Sequence, residues 1–160
     1  MTRGKPYPVS ADDDLSLGKW CYNRTWELIE KDDRSDAENE EMLITAFASR
    51  HHWSRVGTPA NSARGEWQLA RVYGLLGNHV EAVRHSKRCV EITEAAALQD
   101  FDLAFAYEGM ARSLALSGRA DEASVFAGRT AAAGALIAKE KDRQLFMNDL
   151  ATLKGHRSFT

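Results

Sequence analysis

The chain has 160 residues, a formal net charge of -2 and 28% charged residues. This length is enough for one domain with a hydrophobic core and too short for two ordinary domains. Because neutralising phosphates needs a stripe of lysine and arginine, the charge balance argues against nucleic acid as a partner. No apolar run is long enough to span a bilayer, and Cys21 and Cys89 belong to no thiol motif. We therefore expect a soluble, cytoplasmic protein with no membrane partner.

The first quarter of the chain predicts two helices. Residues 1–10 contain two prolines and are expected to form a flexible tail. Ser10 offers a cap for a first helix, which its apolar residues continue to about Lys31. Ser35 and Glu38 have the spacing of a capping box and predict the start of a second helix. The apolar face of this helix is formed by Met42, Ala46, Ser49, Trp53 and Val56.

The stretch from 62 to 97 predicts two amphipathic helices. Gly57 ends the preceding helix, and Pro59 begins the next one at a position where its missing N–H costs nothing. Gly77 then separates the two helices of this stretch. The first carries a large apolar face, and the second carries small residues that allow close approach of a partner helix. The apolar positions of the first helix are Leu69, Val72, Tyr73 and Leu76, and the small residues of the second are Ala82, Ser86, Cys89 and Thr93.

The same pattern of two amphipathic helices separated by a glycine recurs 41 residues later, in the stretch from 103 to 137. Gly118 takes the place of Gly77, and in both copies the sequence around the break reads Gly-x-x-x-Glu-Ala. A last helix is predicted over 142–154, with Asp142 as its cap, and is expected to cover the open end of the stack. Its periodic positions are Leu145, Phe146, Asp149, Leu150 and Leu153, and residues 155–160 are expected to be frayed.

These features resemble the tetratricopeptide repeat, an antiparallel helix pair of about 34 residues that stacks into a superhelix. The resemblance covers about half of the chain, and the repeat here is longer and lacks the closing proline. It implies an all-α fold, an α/α superhelix of about seven antiparallel helices in one domain over 11–154. The expected hairpins span about 12–57, 58–98 and 100–138. The segment 51–67 also resembles segments of uncharacterised bacterial proteins, a likeness that carries no activity with it.

The resemblance also implies a concave groove lined by the first helix of each pair. Carried over to this sequence, the groove residues are Arg64, Trp67 and Arg71 from one repeat and Phe105, Glu108 and Arg112 from the next. Two arginines at equivalent positions beside an aromatic would suit a protein or peptide segment that presents an acidic side chain or a C-terminal carboxylate. The simpler alternative is that Glu108 neutralises one arginine and the groove holds a surface ion pair, worth less than about 1 kcal/mol.

No sequence motif for catalysis, phosphate binding or a metal site is present, so no catalytic residue, cofactor or metal is predicted. The best polar cluster surrounds the Gly57 turn and contains His51, His52, Arg55, Arg64 and Glu66. A buried histidine satisfied by a carboxylate is the simpler explanation of this cluster. Glu81 and His85, four residues apart, are too few to hold a metal and are expected to form a solvated pair on the surface of their helix.

Two hypotheses follow. The first is a non-enzymatic protein- or peptide-binding module that uses the groove. The second is a small helical enzyme, or a sensor of a ligand or metal, with a pocket at the Gly57 turn. Self-association into a homodimer through an exposed helix face is a further expectation, because short stacks have large open ends.

Overall fold

A computed structural model describes residues 6–153, and within this range the chain folds into seven α-helices and no strand. The predicted all-α class with about seven antiparallel helices is confirmed. The predicted N-terminal tail, 1–10, lies partly outside this range, at 1–5, and the predicted C-terminal tail, 155–160, lies entirely outside it. The helices are α1 (Ala11–Ile29), α2 (Asp36–Val56), α3 (Pro59–Leu75), α4 (His79–Ala95), α5 (Phe101–Leu116), α6 (Ala120–Ala135) and α7 (Glu140–Ala151).

The helix starts follow the capping residues of the sequence. The Ser10 side chain accepts a hydrogen bond from the backbone N–H of Asp13 at the start of α1. At the start of α2, Ser35 and Glu38 form both hydrogen bonds of the predicted capping box. Pro59 is the first residue of α3, as predicted. Local chemistry thus determines where the first three helices begin.

The two predicted glycine breaks have the same geometry. Gly77 and Gly118 both have a φ of 78°, in the left-handed region that closes a helix. In each case the backbone N–H of the following residue returns to a carbonyl of the preceding helix, from Asn78 to Tyr73 and from Arg119 to Leu114. The two hairpin turns α3–α4 and α5–α6 are therefore structurally equivalent.

The helices pack as three consecutive hairpins, α1–α2, α3–α4 and α5–α6. Between hairpins, α2 contacts α3 and α4 contacts α5, while the first helices contact one another, α1 with α3 and α3 with α5. This is a helical-repeat arrangement compatible with a tetratricopeptide-like fold. We call the side formed by α1, α3 and α5 the inner face. The predicted small-residue stripe of α4 is buried, at Ala82, Ser86, Cys89 and Thr93, and Ser86 contacts α5 of the next hairpin.

The last helix lies across the inner face. The ring of Phe146 is 5.3 Å from that of Phe105 on α5 and packs on Gly134 in the last turn of α6, and Asp149 reaches α3 and α5. The prediction that Asp142 caps this helix is wrong, because α7 begins at Glu140 and Asp142 lies within its first turn. An aspartate there favours the positive end of the helix dipole, so its presence alone does not mark the cap.

Candidate functional site

The six predicted groove residues fall into two parts of the inner face. Glu108, Arg112 and Arg71 lie beneath α7, in a buried group of charges that we call the arginine network, together with Asp149. Arg64, Trp67 and Phe105 line a cavity beside α7, which we call the aromatic cavity. The structure therefore brings the six residues onto one face but leaves only three of them at an open site.

The centre of the arginine network is Glu108, which is completely buried. Its carboxylate accepts a hydrogen bond of 2.6 Å from Nε of Arg112, one helical turn away on α5. It also accepts one of 3.2 Å from the indole N–H of Trp67 on α3. A buried charge needs such partners, because desolvation strongly disfavours an unpaired carboxylate. Glu108 does pair with one arginine, as the simpler alternative drawn from the sequence has it, but the expectation of a surface ion pair is wrong, because both side chains are buried.

Asp149 completes the network from α7. Its Oδ1 lies 3.3 Å from Nη2 of Arg71, and its backbone carbonyl accepts a hydrogen bond of 3.0 Å from Nη2 of Arg112. The chain thus places one of its own carboxylates between the two arginines for which the sequence predicted an acidic partner. Burial, together with the charge of Glu108, raises the pKa of Asp149 to about 6, against the opposing effect of both arginines.

Arg71 is less well satisfied than Arg112. Besides Asp149 it donates to the hydroxyl of Thr152 at 3.2 Å, but its buried Nε has no hydrogen-bond partner among the described residues. Burial, followed by repulsion from Arg112, lowers the pKa of Arg71. The Arg71 side of the network is therefore its weaker part.

The aromatic cavity has a volume of about 630 Å³ and opens between α1 and α7, above α3 and α5. Its apolar surface comes chiefly from five aromatic side chains. Trp26 of α1 stacks on Trp67 with ring centroids 5.2 Å apart, and the Phe105 ring meets Trp67 edge to face at 5.3 Å. The other two aromatic side chains are Tyr22 and Phe101. Burial raises the pKa of Cys89, which also lines the cavity, to about 12, so this thiol is not a nucleophile at neutral pH.

Charged groups surround the cavity. Arg64 and Asp102 form a bidentate pair, with Nε and Nη2 of the guanidinium 2.7 and 3.0 Å from the two carboxylate oxygens. Glu27 of α1 and Glu30, the residue that follows this helix, are exposed at its edge, and Asp142 of α7 lines it from the other side. The cavity thus combines an aromatic interior with an acidic rim.

The second predicted site, at the Gly57 turn, is not assembled as one pocket. His52 and Arg55 both contact the buried carboxylate of Asp14, at 2.7 and 3.2 Å. The hydroxyl of Tyr7, a residue of the predicted flexible tail, donates to the same carboxylate at 3.0 Å. Burial alone would raise the pKa of Asp14, but the hydrogen bonds from His52, Tyr7 and Arg55 outweigh it and lower the pKa. His51 is exposed and lies edge to face against the Tyr7 ring.

Glu66 belongs to a different cluster. Its carboxylate contacts Nδ1 of the buried His85 at 2.6 Å and accepts a hydrogen bond of 2.8 Å from Nε of Arg50. His85 also stacks on the Tyr73 ring, with the centroids 5.5 Å apart. The expectation that His85 forms a solvated pair with Glu81 is wrong, because His85 is buried and its main carboxylate partner is Glu66 of α3. Glu81 lies 3.9 Å from Nε2 of His85, and no cluster of three or more potential metal ligands occurs within residues 6–153.

Sequence reasoning missed three contributors to the inner face. Asp149 was recognised only as part of a periodic helix face, although a carboxylate among Leu145, Phe146, Leu150 and Leu153 indicates a buried partner. Trp26 is predicted only as an apolar position of the first helix, and no prediction concerns Tyr22. No sequence signal shows that α1 would lie beside α3 with these rings turned to the cavity.

Comparisons with protein-family models, with curated proteins and with solved structures return no match. None of the described helices is long and apolar enough to cross a membrane.

Proposed function

We infer that this chain is a tetratricopeptide-like, non-enzymatic module that binds a protein or peptide segment on its inner face. The observation that carries this proposal is the aromatic cavity, an opening of about 630 Å³ lined by Arg64, Trp67 and Phe105. Cavities of this volume accommodate ligands the size of a few side chains. Aromatic side chains with a polar rim are typical of surfaces that bind other proteins.

The arginine network supplies a second argument for a binding face. Asp149 shows how an acidic helix can be held there, by Arg71 of α3 and Arg112 of α5. An acidic segment or a C-terminal carboxylate would reach these two arginines only after α7 leaves them, because α7 covers both. In this proposal the bound segment therefore first contacts the open aromatic cavity. The arginine network is a second site, which α7 covers.

Site-specific photo-crosslinking tests the proposal in the full chain. A photo-reactive phenylalanine analogue is placed at Asn23 or Leu145, which line the cavity and are exposed, so the fold is kept. The control position is Val80 on α4, which is 79% exposed and does not line the cavity. After irradiation in a lysate of the source cell, crosslinked peptides are identified by mass spectrometry.

The proposal expects the same partner segment to be crosslinked from positions 23 and 145, and not from position 80. Purified partner should then reproduce the crosslink and compete with it when added in excess. If all three positions return the same peptides, or if positions 23 and 145 return none, the cavity is not a peptide-binding site.

The alternative function, a sensor of a small ligand, is favoured by one observation. The volume of the aromatic cavity lies within the range of about 300–1,000 Å³ of small-molecule sites. Because the polar residues at the Gly57 turn are dispersed over separate clusters, this alternative also uses the aromatic cavity. Native mass spectrometry of the purified protein, with Ala106→Trp to fill the cavity as comparison, should then show a copurified compound only in the wild type.

The homodimer expected from the sequence stays a prediction. Two exposed apolar side chains lie on α1, Leu17 at 40% and Trp20 at 61% exposure. Light scattering of the wild type and of Trp20→Lys measures whether this helix face mediates self-association.

A further inference from the structure

We propose that the aromatic cavity selects a basic side chain, with arginine preferred, from the peptide segment that the module binds. The proposal rests on the proposed function and specifies the chemistry of the bound segment. It differs from the expectation of an acidic partner, which concerned Arg71 and Arg112 beneath α7. The supporting observations are the charges of the residues that line the cavity, the salt bridges of its carboxylates and its aromatic rings.

The charges around the cavity are predominantly negative. Four carboxylates line it, and the guanidinium of Arg64 is the one basic group among its lining residues. Arg64 is already held by both oxygens of Asp102, so it attracts a further anion only weakly. The carboxylates of Glu27, Glu30 and Asp142 are left over, a net of three negative charges in a chain whose formal net charge is -2.

Neighbouring basic residues cancel only part of this charge. Arg24 lies 2.9 Å from Glu27, but it binds Glu41 with two hydrogen bonds of 2.7 and 3.0 Å and is directed mainly to that residue. No salt bridge to Glu30 or Asp142 occurs among residues 6–153. A cation that enters the cavity would therefore meet carboxylates from both sides, from α1 and from α7.

The rings provide the second half of a cation site. Trp26 is half-buried and stacks on the buried Trp67, with the ring centroids 5.2 Å apart and an angle of 29° between the planes, so no cation fits between these two rings. A cation in the cavity would instead meet the face of Trp26 that is turned away from Trp67, and Tyr22 also lines the cavity. The indole N–H of Trp67 is bound to Glu108, which fixes the orientation of this ring. Aromatic faces attract cations, and a guanidinium stacks on them more readily than an ammonium because it is planar and less strongly hydrated.

The test uses three short peptides that differ at one position, with acetyl and amide ends: Ala-Arg-Ala, its citrulline counterpart and Ala-Glu-Ala. Citrulline has nearly the shape of arginine without its charge. Binding is followed through the indole N–H resonances of Trp26 and Trp67 in the full chain. The expected result is binding of the arginine peptide about tenfold tighter than of the citrulline peptide, a ratio that corresponds to one cation–π contact with nearby carboxylates.

A matched pair of variants locates the effect. Glu27→Gln, Glu30→Gln and Asp142→Asn together remove the three carboxylates and should abolish the preference for arginine. The control combines Glu40→Gln, Glu91→Gln and Asp121→Asn, which change the net charge equally on exposed positions of α2, α4 and α6. This control should keep the preference, and circular dichroism should show both variants folded.

The inference is overturned if the citrulline or glutamate peptide binds as tightly as the arginine peptide, or if both triple variants behave alike. It is also overturned if the segment crosslinked from positions 23 and 145 contains no basic side chain, in which case the module itself still stands. If those positions crosslink no segment, and none of the three peptides shifts the tryptophan resonances, the proposed function fails as well.

Discussion

The carboxylate of Asp149 on α7 lies 3.3 Å from the guanidinium of Arg71 on α3, although 78 residues separate the two in sequence. Through the same aspartate, α7 is also bound to Arg112 of α5. The inner face of the helical array is thus partly covered by the chain's own last helix. The first predictions concern what holds this helix in place.

Loss of the Arg112 guanidinium should destabilise the fold strongly. Arg112→Met leaves Glu108 fully buried with only the indole N–H of Trp67 as partner, and breaking one side of a buried pair costs about 3–5 kcal/mol. Urea unfolding followed by tryptophan fluorescence measures this change. The control Arg88→Met removes an exposed arginine that is 3.4 Å from Glu91 and should change the free energy of unfolding by about 0.5 kcal/mol or less.

If Arg112→Met were as stable as Arg88→Met, the arginine network would contribute little to the fold. A double variant, Arg71→Glu with Arg112→Glu, would reverse both charges for which the sequence predicted an acidic partner, and the same reasoning applies to it. With both arginines buried, this double variant would report on stability and not on partner capture.

The docking of α7 should depend on pH through Asp149. The pKa of this group is raised from 3.8 to about 6 in the folded chain, so the folded state holds the carboxyl proton more tightly than the unfolded state does. The resulting stabilisation of the fold is fully present below about pH 3.8 and is lost as the pH rises through 6. Asp149→Asn cannot titrate and lacks this loss. Between pH 4 and 8, wild type should therefore lose up to about 3 kcal/mol relative to Asp149→Asn, as measured by urea unfolding at each pH. A constant difference across this range would contradict the raised pKa.

Two glycines of α6 should respond oppositely to alanine. A Cβ at Gly134 would lie 2.5 Å from Cε1 of Phe146, whereas a Cβ at Gly128 would meet nothing within 4 Å. Gly134→Ala should displace Phe146 and destabilise the chain by about 1–3 kcal/mol. Gly128→Ala should stabilise it by about 0.5–1 kcal/mol through the better helix propensity of alanine. Thermal unfolding measures both changes, and a stabilising Gly134→Ala would show that α7 packs elsewhere.

Displacement of α7 should make the two arginines available to an acidic ligand. In Gly134→Ala, an acetylated tetraglutamate peptide with a free C-terminal carboxylate should bind more tightly than to wild type, because Asp149 no longer occupies Arg71. Gly128→Ala should behave like wild type. Isothermal titration calorimetry in low salt measures the affinities. Equal affinity of the peptide for all three proteins would remove Arg71 and Arg112 from any role in binding.

The part of this fold that the sequence predicts is the part determined locally. Ser35 with Glu38, Pro59 and the glycines at 77 and 118 mark helix ends by interactions within a few residues, and the structure has the helix ends there. Helical periodicity likewise identifies the buried faces, because burial and the 3.6-residue repeat are linked directly.

The site was harder to predict because its contacts join distant segments. Nothing in the sequence around Arg71 indicates that Asp149 is its partner, or that Arg64 pairs with Asp102 across 38 residues. Periodicity identifies α7 as amphipathic but does not say which surface it covers. The predicted groove residues therefore lie on one face, but the sequence does not show that α7 lies over half of it, and partner binding at this face stays a prediction.

The turns at Gly77 and Gly118 determine which residues the chain can accept at these two positions. At neither position would an added Cβ meet another atom within 4 Å, while both have a φ of 78°. What these turns require is a left-handed backbone conformation, since space for a side chain is available. A D-alanine introduced there by chemical synthesis has the mirror-image backbone preference and should be accommodated, whereas L-alanine should cost about 1 kcal/mol at each turn. The two hairpins are thus constrained at these turns by stereochemistry and not by packing.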